Sequence, residues 1–436
     1  MPNIDLQMEN TPAQQHSARR SLRRIAAATM AGTAIEVFDF LAYGTAAALV
    51  FNKLFFPNLS SYAGTLAAFG AFASGLVARP IGGIIFGHLG DRIGRKSILT
   101  YSMVLMGIFT VLIGLLPTYN SIGILAAYLL VILRIGQGLA FGGELGGAMV
   151  MAVEHAPIKW KSLFGSMPQI GTPVGILLSI GAFALVASLP EQSFMSWGWR
   201  VPFLASSVLI VIGIYIRMGI EESPEFLATK NNNKIVRVPL RNILVAHSRP
   251  LILTIIGKLS EVTLIYTLLV FVITYAIHNM RFSKADALHA LLVGAAVLVI
   301  TTPVCGWLAD KIGARRLTIL GGTLLAAMAL PLFIAIGSGS LDAFTIAVIV
   351  AMAINYPLIF SPESNLFSAQ FPPELRNSGV SIGVQIAAAL GGGTAPIIGT
   401  VLVERYTSIV PMGIYIGALG ALTAIAAYLM NKTSSE

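Results

Sequence analysis

Apolar residues recur along this chain in runs of about twenty, separated by short polar breaks. Twelve such runs can be drawn, at 24–51, 62–88, 97–116, 121–152, 162–188, 197–218, 250–278, 286–309, 317–338, 342–371, 376–403 and 409–430. At 1.5 Å per residue, a helix of about 20 residues crosses a hydrocarbon core of about 30 Å. The pattern therefore predicts twelve membrane-spanning helices. The short alternating segments of a transmembrane β-barrel are missing. The longest polar stretch, EESPEFLATKNNNKIVRVPLRNILVAHSRP at 221–250, separates spans six and seven. It divides the chain into a tail (1–23), a six-helix bundle (24–219), a linker (220–249), a second six-helix bundle (250–430) and a short tail (431–436). Within the linker, IVRVPLRNIL reads as an amphipathic helix on the membrane surface.

Composition agrees. Of the 436 residues, 56% are hydrophobic and 11% charged, with a mean hydropathy of +0.81; soluble domains carry about 25% charged residues. The formal charge of +9 does not signal nucleic acid, because the basic residues are unevenly placed. Twenty of the 28 Lys and Arg fall in the tails and alternate loops of one side and five in the opposite loops, while Arg79, Arg134 and Lys258 fall within spans. Positive charge marks the cytoplasmic side, so both termini are expected there. No cleavable leader is evident: the first 22 residues are polar and end in the basic patch Arg19, Arg20, Arg23 and Arg24. A single cysteine, Cys305, excludes a disulfide framework, the histidines show no metal-ligand spacing, and the chain lacks G-x-x-x-x-G-K-[ST]. ATP-driven pumping and enzymatic catalysis are therefore not expected, and no cofactor or metal is implied.

The two halves repeat. GHLGDRIGRK (87–96) follows span two and GWLADKIGARR (306–316) follows span eight, placing Asp91 and Asp310 219 residues apart. The same offset links Glu144 in GGELGG to Glu363 in SPESNL. A duplicated six-span unit is one of the architectures of secondary transporters.

The loop GHLGDRIGRK, with its weaker copy between spans eight and nine, resembles the signature of the major facilitator superfamily. AIEVFDFLAYGTAAALVFNKLFFP, RIGQGLAFGGELGG and FMSWGWRVPFLASSVLIVIGIYIRMGIEESPEF narrow the resemblance to the metabolite:proton symporters, shikimate-type carriers among them. Two positions depart from that family's usual residue: Glu36 stands where aspartate is commoner, and Lys258 where arginine is. The resemblance implies a conformational gate of Gly87, Asp91, Arg92, Gly94, Arg95 and Asp310, with Glu154 as partner of Arg95. It also implies that spans one, four, seven and ten line a central cavity.

Each of those four spans carries ionisable residues: Glu36 and Asp39, Arg134 and Glu144, Lys258 and Glu261, and Glu363. Glu36 lies roughly 18 Å along its span from Arg24, near the bilayer centre. A charge there costs at least about 2.5 kcal/mol, so these side chains must face one another, a cavity or a substrate. Plain helix packing needs no charge, and buried pairs tend not to recover their desolvation. Asp39 or Glu36 is the first choice for a proton site, with Glu144, Glu261 and Glu363 as further candidates. Arg134 offers a planar fork suited to a carboxylate or phosphonate, with Lys258 facing it from the other half. Gln137, Gln169, Tyr43, Tyr266 and Asn355 are secondary substrate contacts. Arg79 is expected to snorkel or pair near the cytoplasmic end.

The expected protein is thus a bacterial inner-membrane transporter working by alternating access, driven by the proton gradient. Its expected partners are a small anionic or zwitterionic molecule, protons and membrane lipid, with a monomer as the working unit. Proton-coupled uptake of an organic acid or zwitterion is the first reading. Proton-driven export of a small anionic drug or metabolite, such as a phosphonate antibiotic, is the second. A transport-inactive sensor or scaffold is a third, disfavoured by the intact set of buried charges.

Overall fold

The computed structural model describes residues 12–93, 95–142, 145–154, 156–218, 243 and 245–432. Every regular element among them is a helix. Ten are long and apolar enough to span a membrane: α1 (Thr29–Phe55), α2 (Ser61–Phe86), α5 (Lys161–Ala187), α6 (Gly198–Tyr215), α7 (Ser248–His278), α8 (Lys284–Ile312), α9 (Ala314–Ile336), α10 (Leu341–Ser368), α11 (Leu375–Tyr406) and α12 (Val410–Leu429). Two shorter apolar helices, α3 (Thr100–Leu115) and α4 (Leu125–Phe141), complete the twelve, and α4 resumes as Leu145–Glu154. The helix of α1 begins earlier than its apolar run, at Pro12. The expected surface helix at 235–244 lies outside the described residues except for Ile243, as does Glu144.

The outer surface is apolar. Val77, Leu185, Tyr215, Ile300 and Tyr428 are among the large side chains left exposed, as a lipid-facing surface requires. Inside, the helices pair in two equivalent sets. In the first half α1 packs on α5, α2 on α4 and α3 on α6; in the second α7 packs on α11, α8 on α10 and α9 on α12. The halves meet where α5 lies on α8 and α2 on α11, with α1 and α7 adjoining between them. The duplication extends to local geometry: α1 and α7 each contain one π-helical turn, at Ala47–Phe51 and Thr267–Phe271. Just before the first of these, a Cβ on Gly44 would stand 3.0 Å from Val270, so glycine lets the two helices meet.

Polar contacts join the halves near both ends. At the end where α12 finishes, the Asp310 carboxylate accepts from the backbone N–H groups of Ser162 (2.7 Å) and Leu163 (2.8 Å). These are orphan donors of the first turn of α5, satisfied here by the opposite bundle. Arg376 of α11 donates to Glu154 at 2.9 Å across the same end. At the other end Lys284 pairs with Glu191 at 2.5 Å, and the Thr274 hydroxyl donates to the Ala48 carbonyl at 3.3 Å.

Candidate functional site

Close packing of α2 on α4 sets up the first cluster. A Cβ at Gly138 would fall 1.9 Å from the Gly75 carbonyl oxygen, and one at Gly142 would fall 2.0 Å from that of Arg79. Small residues four apart let the backbones touch, as in small-xxx-small membrane interfaces. That contact brings Arg79 and Arg134 against one ring, that of Phe40. The Arg134 guanidinium carbon lies 3.6 Å and that of Arg79 3.8 Å from the centre of Phe40. Both guanidinium groups therefore pack on the same ring. Arg79 also stacks on Phe141 at 3.7 Å, and Arg134 on Tyr43 at 4.4 Å and Phe72 at 4.8 Å. The negative faces of the rings offset part of the desolvation of the guanidinium groups.

Arg134 is fully buried. One of its terminal nitrogens donates to Gln137 Oε1 and, at 3.4 Å, to the Phe40 carbonyl. Its Nε and Nη2 have no partner. These two form the edge that grips a carboxylate with parallel hydrogen bonds. Gln137 Nε2 donates onward to the Asp39 carbonyl (3.1 Å) and to Thr110 Oγ1 (2.7 Å). The Asp39 carboxylate itself turns toward α3 and α6: Ser206 donates to it at 2.5 Å, and its second oxygen is buried and unpartnered. Glu36 is 2% exposed, and Arg79 lies within electrostatic range of it.

The second cluster belongs to the C-terminal half. Lys258 Nζ donates to both Glu363 oxygens, at 2.7 and 2.9 Å, and pairs with Glu261 one helical turn along α7. From the other bundle, Gln169 Nε2 donates to Glu363 at 3.0 Å. A narrow cavity opens beside this bond, lined by Thr33, Met149, Pro168, Gln169, Phe360 and Glu363 among others. Tyr266 stands between the clusters, 5.6 Å from Phe72 and 6.3 Å from Phe40 ring to ring, and within range of Arg79. Tyr356 continues the line to Glu261. Asn355 is buried with both amide atoms unpartnered.

The expectation that Arg134 and Lys258 face one pocket is modified. They sit in separate clusters joined through tyrosines, and the cavity touches the second cluster. Arg79 does not snorkel: it is 3% exposed and belongs to the aromatic cage. Sequence reasoning also passed over Phe40, Phe72, Phe141, Ser206, Thr110 and Tyr356. Aromatic and hydroxyl residues are ordinary in membrane helices; the one usable signal was a second arginine inside an apolar run, in ARPIGG. Of the expected gate, Gly87, Asp91 and Arg92 lie on the last turns of the helix Ser61–Ile93, Arg95 begins the next helix, and Gly94 lies outside the described residues. Glu154 is engaged by Arg376.

Comparison with known proteins places this geometry. A family model described as Major Facilitator Superfamily matches residues 29–396 and again 299–436. An inner membrane metabolite transport protein of Escherichia coli is 39% identical, over 97% of each chain. The shikimate transporter of Escherichia coli is 38% identical over 94% of this chain and 95% of its own. A proline/betaine transporter of Salmonella typhimurium is 31% identical over 95% of this chain and 84% of its own. Among solved structures, a D-xylose–proton symporter shares the fold, with a TM-score of 0.74 at 19% identity, covering 95% of this chain and 99% of that one.

Proposed function

The chain belongs to the major facilitator superfamily and is a membrane transporter, and on that premise we propose that it carries a small organic acid or zwitterion together with protons across a bacterial inner membrane, with both termini cytoplasmic. The observation that carries this reading is the unsatisfied edge of Arg134. A fully buried guanidinium with two unpartnered donors is costly unless something fills them for part of the cycle. A carboxylate matches that edge in charge and in geometry. It would reach it when the halves part, with Arg79, packed on the same Phe40 ring, adding positive potential and Tyr266 lining the approach.

The proton is assigned to the cluster around Lys258. Two buried carboxylates there share one ammonium, so the group is neutral only when Glu261 or Glu363 holds a proton, and net charge is expensive in a dry interior. Gln169 ties Glu363 to the opposite bundle, so a change of charge on Glu363 alters a bond between the halves. Asp39 is the less favoured seat, because its hydroxyl partner is in its own half. The name of the shikimate transporter, 38% identical, is consistent with an organic acid as cargo. The test is pH recording in proteoliposomes against a panel of organic acids and zwitterions. Proton entry on adding an external compound is expected; exchange of protons outward would reverse the direction, and silence toward every compound by folded protein would end the proposal.

A further inference from the structure

A second cleft opens at the end of the molecule where α12 finishes, apart from the two clusters assigned to substrate and proton. It has a volume of about 390 Å³, lies between the two bundles and is lined by Glu154, Lys161, Asn365, Ser368, Arg376 and Lys432 among others. Three of these are cations and one is an anion, so the described lining holds more positive than negative groups. The cations come from both halves: Lys161 begins α5, Arg376 lies in the first turns of α11, and Lys432 follows α12.

The cleft is built as well as charged. The Arg376 guanidinium is aimed by two bonds, to the Glu154 carboxylate at 2.9 Å and to the Ser368 carbonyl at 3.0 Å. The segment leading to Lys432 is pinned by a reciprocal pair: Asn431 N donates to Gln370 Oε1 at 2.8 Å, and Gln370 Nε2 donates to the Asn431 carbonyl at 3.2 Å. Ser368 is 2% exposed, lines the cleft, and its hydroxyl has no partner. A buried hydroxyl without a partner beside an excess of cations fits an oxygen-rich anion that accepts from all of them.

We propose that this cleft binds a phosphate-type anion, free in solution or as a lipid headgroup, and that its occupancy clamps the two bundles together at this end. A multivalent oxyanion can accept from Lys161 on one bundle and from Ser368, Arg376 and Lys432 on the other at once. Binding then favours the conformation closed at this end, because the cations separate when the bundles part.

The test needs no transport substrate, so it stands or falls apart from the proposed cargo. Purified full-length protein is unfolded thermally in inorganic phosphate and in chloride at matched ionic strength. Wild type should show a saturable phosphate-dependent rise in unfolding temperature. Lys161→Gln with Lys432→Gln should weaken the apparent phosphate affinity about tenfold, the size of two partly exposed charge contacts. Lys432→Arg should retain the response, and Ser368→Ala, which removes only the unpartnered hydroxyl, should weaken it severalfold. General stabilisation by phosphate acts on every variant alike, so an identical response in wild type and double variant would overturn the proposal. Repeating the scan in phosphatidylcholine nanodiscs with and without phosphatidylglycerol separates the sources. Stabilisation by phosphatidylglycerol that added phosphate does not increase identifies the headgroup; phosphate stabilisation in both membranes identifies the soluble ion. If the double variant matches wild type in both membranes, the site does not exist.

Discussion

Asp39 and Lys258 occupy the same place in the internal repeat, 219 residues apart, and carry opposite charges. Asp39 is met by the Ser206 hydroxyl from within its own half. Lys258 is met by two carboxylates, one of which also accepts a bond from the other half. Duplication supplied two equivalent seats, and divergence gave one to a buried acid bonded within its own half and the other to an ion cluster spanning the interface. The comparison teaches that a pseudo-symmetric scaffold need not hold symmetric chemistry: in the proposed function, anion recognition gathers in the first half and proton exchange in the second.

The sharpest way to break this division is Arg134→Ala. It should lower substrate affinity by more than about 100-fold, the scale of a lost bidentate charge-assisted pair, measured by uptake of whichever acid gives a proton signal. Full affinity in this variant would remove the N-terminal half from anion recognition. Lys258→Met comes next, since it leaves two buried carboxylates without their cation; a loss of about 3–5 kcal/mol is expected, read as a lower unfolding temperature in detergent. Adding Glu363→Gln to it should recover part of that loss.

The third comparison sets Glu363→Gln against Asp39→Asn. The first should leave substrate binding intact and flatten the rise of uptake on acidifying the outside, whereas the second should keep that rise. The opposite result would move the proton to the first half. Gln169→Leu removes a hydrogen bond to a charged group, a contribution of about 1.5–3 kcal/mol at most, and should weaken closure of the halves, measured as faster labelling of a cysteine introduced at Thr33, which lines the cavity beside Gln169. Smallest is Glu154→Gln at the partly exposed Arg376 pair, about 0–1 kcal/mol, visible as a slight change in transport rate.

The spans, the duplication and the buried charges were legible in the sequence because each is a local signal. An arginine in an apolar run is conspicuous whatever surrounds it, and the offset between Asp91 and Asp310 needs no coordinates. The partners were not legible. Glu36 and Asp39 are three residues apart and share a helix face in one dimension, yet Asp39 faces Ser206 while Arg79 is the cation near Glu36. Which neighbour each meets depends on the rotation of α1, set by contacts such as those of Gly171 and Gly175 of α5 with the α1 backbone at Met30 and Ala34. Phe40 and Tyr356 were invisible for a different reason, since aromatic residues fill membrane helices without any site nearby. The contact of Asp310 with Ser162 and Leu163 crosses the bundles, and no periodicity in either segment records it.

The matched π turns of α1 and α7 have a mechanical corollary. Such a turn stores one residue beyond an ordinary α-helical turn. Rewinding it would swivel the remainder of the helix by about 100° and shift it about 1.5 Å along its axis. Tyr266 sits at the seam of the second turn and Thr274 a few residues past it. A single unit of slack, taken up or let out, would therefore retarget side chains on one side of the seam while Lys258 and Glu261 on the other stay put, like a swivel joint built into a rod.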